Sequence, residues 1–219
     1  MEQNPFAPAF EALPQTLPVF PLTSALLLPG GQMPLNIFEP RYLQMVEDAL
    51  ASNRMIGMVQ PKANQENATN PELEKTGCCG KIIEFNEAPD GRYLITLSGI
   101  YRYDIVEELE TTKQYRMVKT DWTAYKGDHT RNNCLDIDRS QLKDLLKDYF
   151  KIHGMDCDWK AVDTASDEKL ITCLSMVCPF DPQEKQALLE AQCCKTRKEL
   201  FLKMLEFAVK ADQVGCQKH

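Results

Sequence analysis

Two different hydrophobic periods divide this chain near residue 130, and the division limits the folds open to it. Up to about residue 123 the apolar residues come in short segments, and Met33, Leu35 and Ile37 alternate with their neighbours. Alternation with a period of two is typical of half-buried strands. Beyond residue 138, apolar residues such as Leu142 and Leu146 recur at helical spacing. We therefore expect an α+β chain with its strands first and most of its helices last.

The β-rich part is predicted to form an antiparallel sheet that curls or closes, because its strands and turns are short. We predict strands over residues 17–22, 32–37, 55–59, 81–86, 92–98, 101–109 and 115–122. The prolines of the first segment suit an edge strand. Ala88-Pro89-Asp90-Gly91 has the composition of a hairpin turn. One helix interrupts the strands, with Pro40 at its first position and Glu39 before it.

The helical part contains several start and stop signals. Gly154 is predicted to end a first helix, and Ser166 and Asp181 are predicted to cap two later ones. Thr196-Arg197-Lys198-Glu199 matches a capping box and is predicted to open a last helix through Ala211. Apolar residues cover a wide stripe of that helix, so we expect it to be largely buried. They are Leu200, Phe201, Met204, Leu205, Phe207 and Ala208.

Shifts in composition define the expected domain organisation. The polar stretch that contains Gly127 and Asp128 separates the two halves of the chain. The predicted parts are a flexible N-terminal tail (1–14), a β-rich subdomain (15–123), a linker (124–138), a helical bundle (139–212) and a frayed C-terminal tail (213–219).

The acidic charge balance argues against nucleic acid as a partner. The chain has 25 Lys and Arg against 32 Asp and Glu, a net charge of −7. Such a chain repels phosphate backbones unless its cations share one face. The N-terminus lacks a basic region followed by an apolar one, and the longest apolar stretch is too short and interrupted to span a bilayer. We therefore expect a cytoplasmic protein with no membrane partner.

The nine cysteines are predicted to be reduced thiols, since no export signal is visible. We expect most of them to be small buried apolar residues. Cys78-Cys79 and Cys193-Cys194 are adjacent pairs, a spacing that rarely lets both sulfurs ligate one tetrahedral ion. No C-x-x-C pair is present, so we expect no metal site.

Patterns that would indicate catalysis are weak. Gly77-Cys78-Cys79-Gly80-Lys81-Ile82 resembles a P-loop superficially, but it has too few residues between its glycines and no Ser or Thr for magnesium. Ser166 begins an S-x-x-K sequence, but its position before a helix favours capping. His129, His153 and His219 do not pair with one another at metal-binding spacing. We expect no catalytic residues and no cofactor.

The corner after residue 37 is the best candidate for a binding surface. It places two aromatic rings and two opposite charges around a turn, and Tyr and Arg are over-represented as anchors at interfaces. A structural interpretation stays open, in which Phe38 is core and Glu39 or Arg41 ties the helix start to the sheet. The candidate peptide-binding residues are Pro29, Gly30, Phe38, Glu39, Arg41 and Tyr42.

Several segments strongly resemble the N-terminal substrate-binding (LON) domain of ATP-dependent Lon proteases. The likeness is closest to stand-alone, bacterial-type members, and it covers roughly residues 15–210. The segment 33–42, with the sequence Met-Pro-Leu-Asn-Ile-Phe-Glu-Pro-Arg-Tyr, is long and specific. The other matching segments are 17–22, 28–30, 90–103 and 178–190.

The resemblance implies a PUA-like antiparallel β-barrel joined to a helical bundle. It also implies binding of unfolded or tagged polypeptides, with a role as adaptor or recognition factor for a separate ATP-dependent protease. The family's ATPase and Ser-Lys peptidase modules have no counterpart in this sequence, so we expect no enzymatic activity. The family offers no agreed catalytic residues to transfer.

Two other functions remain open at this point. PUA-like barrels also occur in RNA-binding proteins, so RNA binding is the alternative. That function would need a basic face assembled from Lys81, Arg92, Arg102, Arg116 and Lys119. A small-ligand or enzymatic site between barrel and bundle would need a deep pocket with a buried titratable pair.

Overall fold

The computed structural model describes residues 6–63, 70–129 and 135–216. Parts of the predicted tails and linker, together with His219, lie outside these ranges. The strands form one sheet. They are β1 (Thr16–Pro21), β2 (Gln32–Ile37), β3 (Met55–Val59), β4 (Thr76–Glu87), β5 (Tyr93–Leu109) and β6 (Arg116–Asp121).

The sheet closes into a barrel. Its strand order is β2-β5-β4-β3-β1-β6, and β5 also pairs with β6. The long β5 makes closure possible, because its first residues pair with β2 and β4 and its last residues reach β6. The α+β class is confirmed, but the pairing is mixed, since β1 runs parallel to β3. Residues 22–54 lie between these two strands and provide the long connection that a parallel pair needs.

The strands β4 and β5 are longer than predicted. A single β5 replaces the two strands predicted over 92–98 and 101–109, and register shifts beside Cys79 and Ile82 interrupt its ladder with β4. The predicted hairpin turn is confirmed by Gly91, whose φ is +82°. Since β4 begins at Thr76, Gly77-Cys78-Cys79-Gly80 lies inside the buried first part of that strand.

The prolines of β1 do not mark an edge strand. β1 lies between β3 and β6, so the edge prediction is wrong. In the register, Pro18 pairs with Met117 of β6 and Pro21 pairs with Val59 of β3. Each proline is thus in register with one neighbouring strand only, so neither interrupts a ladder on both of its sides.

The helices start and stop largely where predicted. Pro40 is the first residue of α1, Gly154 ends α2 with a φ of +63°, Ser166 caps α4, and Asp181 forms a complete capping box at α5. The helices are α1 (Pro40–Leu50), α2 (Arg139–His153), α3 (Trp159–Thr164), α4 (Asp167–Val177), α5 (Pro182–Glu190) and α6 (Cys194–Cys216). The short α3 was not predicted, although Asp158 caps it through hydrogen bonds from two backbone N–H groups.

The last helix differs from its prediction in two ways. α6 begins at Cys194, and the backbone N–H of Arg197 donates to the carbonyl of Cys193 at 3.0 Å, so Thr196 lies within the first turn and is not the cap. Phe207 is 74% exposed. The helix therefore packs along one face and is not largely buried. The buried residues on that face include Phe201, Leu205 and Val209.

The N-terminal residues that the structure describes contact the barrel. Phe10–Ala12 form a 3-10 helix within the predicted flexible tail. The Phe10 ring lies 5.9 Å from that of Tyr101, edge to face, and 5.3 Å below the Lys126 ammonium. The boundaries of tails, subdomain, linker and bundle remain predictions.

Barrel and bundle share one apolar core, which contains both Leu97 of β5 and Phe201 of α6. Polar side chains of α5 also cross the junction. Gln186 Nε2 donates to the carbonyl of Thr76 at 3.1 Å, and Lys185 Nζ donates to that of Ser24 at 2.8 Å. Because these buried donors find acceptors on the barrel, the bundle is positioned by hydrogen bonds as well as by apolar contact.

Candidate functional site

The predicted corner between β2 and α1 combines an exposed ring with a buried one. Phe38 is 65% exposed, so the interpretation of it as core is wrong. Tyr42 is buried, with its ring centre 4.2 Å from that of Phe20, and burial raises its pKa. Arg41 Nε donates to Glu39 Oε2 at 2.9 Å, and the Arg41 guanidinium lies 4.5 Å from the Tyr42 ring centre. The pair and the buried ring hold the start of α1, and Phe38 is presented to solvent.

Pro29 and Gly30 lie elsewhere. Gly30 has a φ of +79°, and its N–H donates to the carbonyl of Gly99 at 2.9 Å. A Cβ atom on the next residue, Gly31, would lie 2.3 Å from Met176 Sδ of α4, so this turn backs onto the bundle. The whole of β2 separates the turn from Phe38, a distance of about 20 Å along a strand. The structure therefore does not bring the six candidate residues together.

A groove crosses β2, β5 and β4 near the end of their shared ladder. Its volume is about 570 Å³. The register aligns Asn36, Leu94 and Asn86 in one row across the three strands, and Pro34, Thr96 and Glu84 in another. Leu35, Phe85 and Ile95 complete the lining.

Exposed apolar side chains accumulate at this end of the ladder, with Leu94 on the groove face and Phe85, which pairs with Ile95, on the opposite face. Leu94 is 43% exposed and Phe85 is 44% exposed, with the Phe85 ring 5.1 Å from that of Tyr93. Phe38 follows Ile37, which pairs with Tyr93 beside Leu94. We call Phe38, Phe85, Leu94 and the groove the hairpin-end surface.

Sequence reasoning missed Phe85 and Leu94, although the signal for Leu94 was present. Tyr93, Ile95 and Leu97 alternate along β5, and Ile95 and Leu97 are buried. An apolar residue between them must point to the opposite face of the sheet. Leu94 is therefore an apolar residue at a solvent-facing position of β5. Because such positions are normally polar, this exception to the alternation indicates the hairpin-end surface.

The outer edge of β2 also borders the groove. β5 pairs with β2 on one side, and within the described ranges no strand pairs with the other side. Pro34 occupies the middle of β2 and has no backbone N–H. A continuous ladder cannot be added along this edge, because proline interrupts it.

Three carboxylates lie near this end of the ladder without a cationic partner, Glu84 on the face of Leu94 and Glu47 and Glu87 beside Tyr93 on the opposite face. Glu84 accepts a hydrogen bond from Thr96 Oγ1 at 2.7 Å, and Glu47 accepts one from Tyr93 Oη at 2.7 Å. That second bond raises the pKa of Tyr93, with a smaller contribution from Glu87. Among the described residues no Lys or Arg forms an ion pair with Glu47, Glu84 or Glu87.

The five cations considered for RNA binding do not form a free basic face. Most are ion-paired, with N–O distances between 2.5 and 3.2 Å. Arg102 is also buried. The pairs are Arg92–Asp90, Arg102–Asp128, Arg116–Glu108 and Lys119–Glu107. These five residues therefore do not supply the concentrated positive charge that phosphate binding needs.

The junction of barrel and bundle does hold a buried titratable pair. Arg102 is 3% exposed and is paired with Asp128 at 2.6 Å. Its Nη1 atom donates hydrogen bonds to the carbonyls of Leu189 and Ala191. The neighbouring Arg197 is buried as well, and burial together with the charge of Arg102 lowers its pKa to about 10. The hydrogen bonds of Arg102 therefore let the Arg102–Asp128 pair join the barrel to the helical bundle.

The cysteines occupy two kinds of environment. Cys78, Cys79 and Cys178 are buried, and burial raises the pKa of each thiol. Cys157 and Cys194 are half-buried and Cys173 and Cys193 are exposed, so the prediction that most cysteines are buried does not hold for the seven with described side chains. No disulfide joins the seven cysteines whose side chains the structure describes, and no group of three or more potential metal ligands lies within the described ranges.

The fold places this chain among Lon N-terminal domains. A Lon N-terminal domain protein from Xanthomonas campestris superposes with a TM-score of 0.58 and 20% identity, over 86% of this chain and 97% of that one. The N-terminal domain of a Mycobacterium avium complex Lon protease gives 0.59 and 16%, over 89% and 98%. The chain belongs to the family described as the ATP-dependent protease La (LON) substrate-binding domain, whose model matches residues 16–206.

Curated relatives are much longer than this chain. Lon protease 2 of Myxococcus xanthus is 24% identical over 89% of this chain, which corresponds to 24% of that protein. Lon protease of Dictyoglomus thermophilum is 30% identical over 48% of this chain and 13% of its own length. In the parts of the chain described by the structure, every helix is too short or too polar to cross a lipid bilayer.

Proposed function

We propose that this chain binds unfolded or tagged polypeptides through the hairpin-end surface. The observation that carries the proposal is the exposure of Phe38, Phe85 and Leu94 at one end of the β2-β5-β4 ladder, in a chain of the Lon substrate-binding domain family. Clustered exposed apolar side chains are typical of interaction sites. Unfolded chains supply the complementary apolar segments, which folded proteins keep buried.

Within this proposal, one residue of the β2–α1 corner contacts the bound polypeptide and the others position it. Phe38 contacts the bound segment, because it is the exposed ring of the corner. Glu39, Arg41 and Tyr42 position it through their ion pair and the buried Tyr42–Phe20 contact. Pro29 and Gly30 shape the turn at the opposite end of β2 and make no contact with the segment.

The polypeptides bound in this way are passed to a separate ATP-dependent protease, for which this chain acts as a recognition factor without catalysis of its own. Support comes from the family match, which is to a substrate-binding domain. Further support comes from the relatives, which are named Lon proteases. A photoreactive residue at position 38, with position 106 as the control, tests this role in cells. Crosslinking of polypeptides from position 38 alone, with protease subunits recovered in the same complexes, is the expected result.

Binding itself is tested with lysozyme that is reduced and carboxamidomethylated, and thus unfolded, against native lysozyme of the same net charge. We expect the unfolded form alone to bind. A Phe38→Ser/Phe85→Ser/Leu94→Ser variant should bind at least about tenfold more weakly, because three apolar contacts are lost.

The matched control removes three apolar side chains that are exposed elsewhere, in the variant Val106→Ser/Val177→Ser/Phe207→Ser. Its affinity should stay within about twofold of the original chain, since these residues lie outside the surface. Equal losses in both variants, or equal binding of native and unfolded lysozyme, would contradict the proposal.

A further inference from the structure

We infer that the start of α6 binds a small oxyanion of the phosphate class, held by the guanidinium of Arg197 at the junction of barrel and bundle. This inference goes beyond the proposed function, because the site lies apart from the hairpin-end surface. Arg197 is a neighbour of Arg102, which lies in the second half of β5, whereas Leu94 is near the first residue of that strand.

Arg197 is almost completely buried, yet most of its hydrogen-bonding groups are unused. It is 7% exposed, and its Nε donates to the carbonyl of Leu188 at 2.9 Å. Within the described ranges, Nη1 and Nη2 have no acceptor, and no Asp or Glu forms an ion pair with this side chain.

The unused nitrogens of Arg197 are open to a ligand. No side-chain nitrogen of the described residues is both sealed from solvent and without a partner, so Nη1 and Nη2 keep contact with solvent. A guanidinium is planar, and two of its nitrogens together match two oxygens of one phosphate or carboxylate. Arg197 therefore presents an oxyanion with a ready bidentate donor in a largely desolvated place.

The junction contains two arginines for one carboxylate. Both oxygens of Asp128 accept hydrogen bonds from Arg102. Burial and the charge of Arg102 lower the pKa of Arg197 to about 10, although Asp128 acts in the opposite direction. The guanidinium is thus still charged at pH 7, and no carboxylate in the described parts of the chain neutralises it. Buried charges are normally paired, so this arrangement favours an anion beside Arg197.

The first turn of α6 carries charges of the sign that a helix start disfavours. Lys195 and Lys198 lie in the same turn as Arg197, and the turn has no acidic residue. Lys198 Nζ donates to the carbonyl of Asp136 at 3.1 Å, and neither lysine forms an ion pair among the described residues. Because the N-terminus of a helix is itself partially positive, cations there are unfavourable and an anion is favourable.

The geometry distinguishes the role of Arg197 from that of the two lysines. Successive helical residues are rotated by about 100°, so Lys195 and Lys198 project from other sides of the turn. They raise the local positive potential without contacting the anion. Long helical side chains point back toward the helix start, which brings the guanidinium of Arg197 close to that potential. A doubly charged oxyanion gains more from these charges than a singly charged carboxylate does.

The test measures thermal unfolding of the full chain in sodium phosphate, sulfate or acetate, with chloride added to keep the ionic strength equal. At a phosphate concentration about tenfold above Kd, the midpoint should rise by about 3–6 °C, because the anion binds the folded form. Sulfate should act like phosphate, and acetate should bind at least about threefold more weakly. Methyl phosphate distinguishes the two sources of a phosphoryl group: weaker binding than inorganic phosphate assigns the site to the free anion, and equal binding assigns it to a larger phosphorylated molecule.

Two variants with the same net charge locate the site. Arg197→Gln should raise the Kd for phosphate at least about tenfold, because the charge and the bidentate donor are both lost. Lys203→Gln is the matched control, since it removes an exposed charge further along α6. Its Kd should stay within about twofold of that of the original chain.

Labelling of the original chain with phenylglyoxal, which modifies arginine, needs no variant to fold. At the same phosphate concentration, modification of Arg197 should slow by about tenfold, because the bound anion covers its nitrogens. Arg54 is exposed and serves as the internal reference, with a rate that should stay within about twofold. Peptide mass spectrometry gives both rates.

Three results would overturn the inference. They are equal unfolding midpoints in phosphate, sulfate and chloride, equal loss of phosphate binding in both variants, and equal protection of Arg197 and Arg54 from phenylglyoxal. The binding of unfolded lysozyme is measured separately, so each of these results leaves the proposed function untouched.

Discussion

Arg102 and Asp128 form a buried bidentate ion pair at the junction of barrel and bundle. Arg102 Nη2 donates to Asp128 Oδ1 at 2.6 Å, and Arg102 Nε donates to Oδ2 at 2.9 Å. The remaining nitrogen, Nη1, donates to the carbonyls of Leu189 and Ala191 at 2.8 and 2.6 Å. One side chain of β5 therefore holds both the segment after β6 and the end of α5.

Asp128→Asn should lower the free energy of unfolding by about 3 kcal/mol, because it leaves the buried charge of Arg102 without its counter-ion. Urea denaturation followed by tryptophan fluorescence measures the change, with Trp122 near the barrel and Trp159 in the bundle. Asp90→Asn is the control, since its pair with Arg92 is exposed to solvent and contributes little to stability. If the two substitutions lowered the free energy of unfolding equally, the buried Arg102–Asp128 pair would stabilise the protein no more than an exposed pair does.

Gly77→Ala should destabilise the barrel by about 1–3 kcal/mol through overpacking. A Cβ atom at residue 77 would lie 2.5 Å from Tyr103 Oη and 2.6 Å from the carbonyl oxygen of Met58, and the latter is backbone that cannot swing away. Gly127→Ala is the matched control, because nothing lies within 4 Å of its added Cβ atom. In thermal unfolding, Gly77→Ala should therefore melt at a clearly lower temperature than Gly127→Ala. A Gly77→Ala protein as stable as the control would contradict this account of the glycine.

Alkylation should distinguish Cys193 from the buried cysteines. A hydrogen bond with Thr196 lowers the pKa of the Cys193 thiol, whereas burial raises the pKa of Cys78 and Cys79. A lower pKa means more thiolate at pH 7, so Cys193 should react with iodoacetamide well before either buried residue. Peptide mass spectrometry over a pH series gives the rates.

The control for this prediction is a variant that lacks the hydroxyl of Thr196. Thr196→Val should shift the alkylation profile of Cys193 to higher pH, because the thiolate loses its hydrogen bond. Rapid labelling of Cys78 or Cys79 in the folded protein would mean that the barrel opens more readily than its buried strands indicate.

Local signals predicted local structure well. Pro40 at the first position of α1, the αL conformation of Gly154 and the capping box at Asp181 all follow from interactions within a few residues. The same reasoning was wrong at Thr196, where the helix starts earlier because the Cys193 carbonyl accepts the first helical bond. It was also wrong for Phe207, since a wide apolar stripe does not show which side meets the core.

The sequence by itself determined the order of strands and helices, their caps and turns, and the likeness to Lon substrate-binding domains, because these depend on neighbouring residues. Only the tertiary structure decided the parallel pairing of β1 with β3, the partners of Arg102 and the grouping of Phe38 with Phe85 and Leu94. These relationships join residues far apart in the chain. They arise from barrel closure and register, which no local pattern of residues specifies.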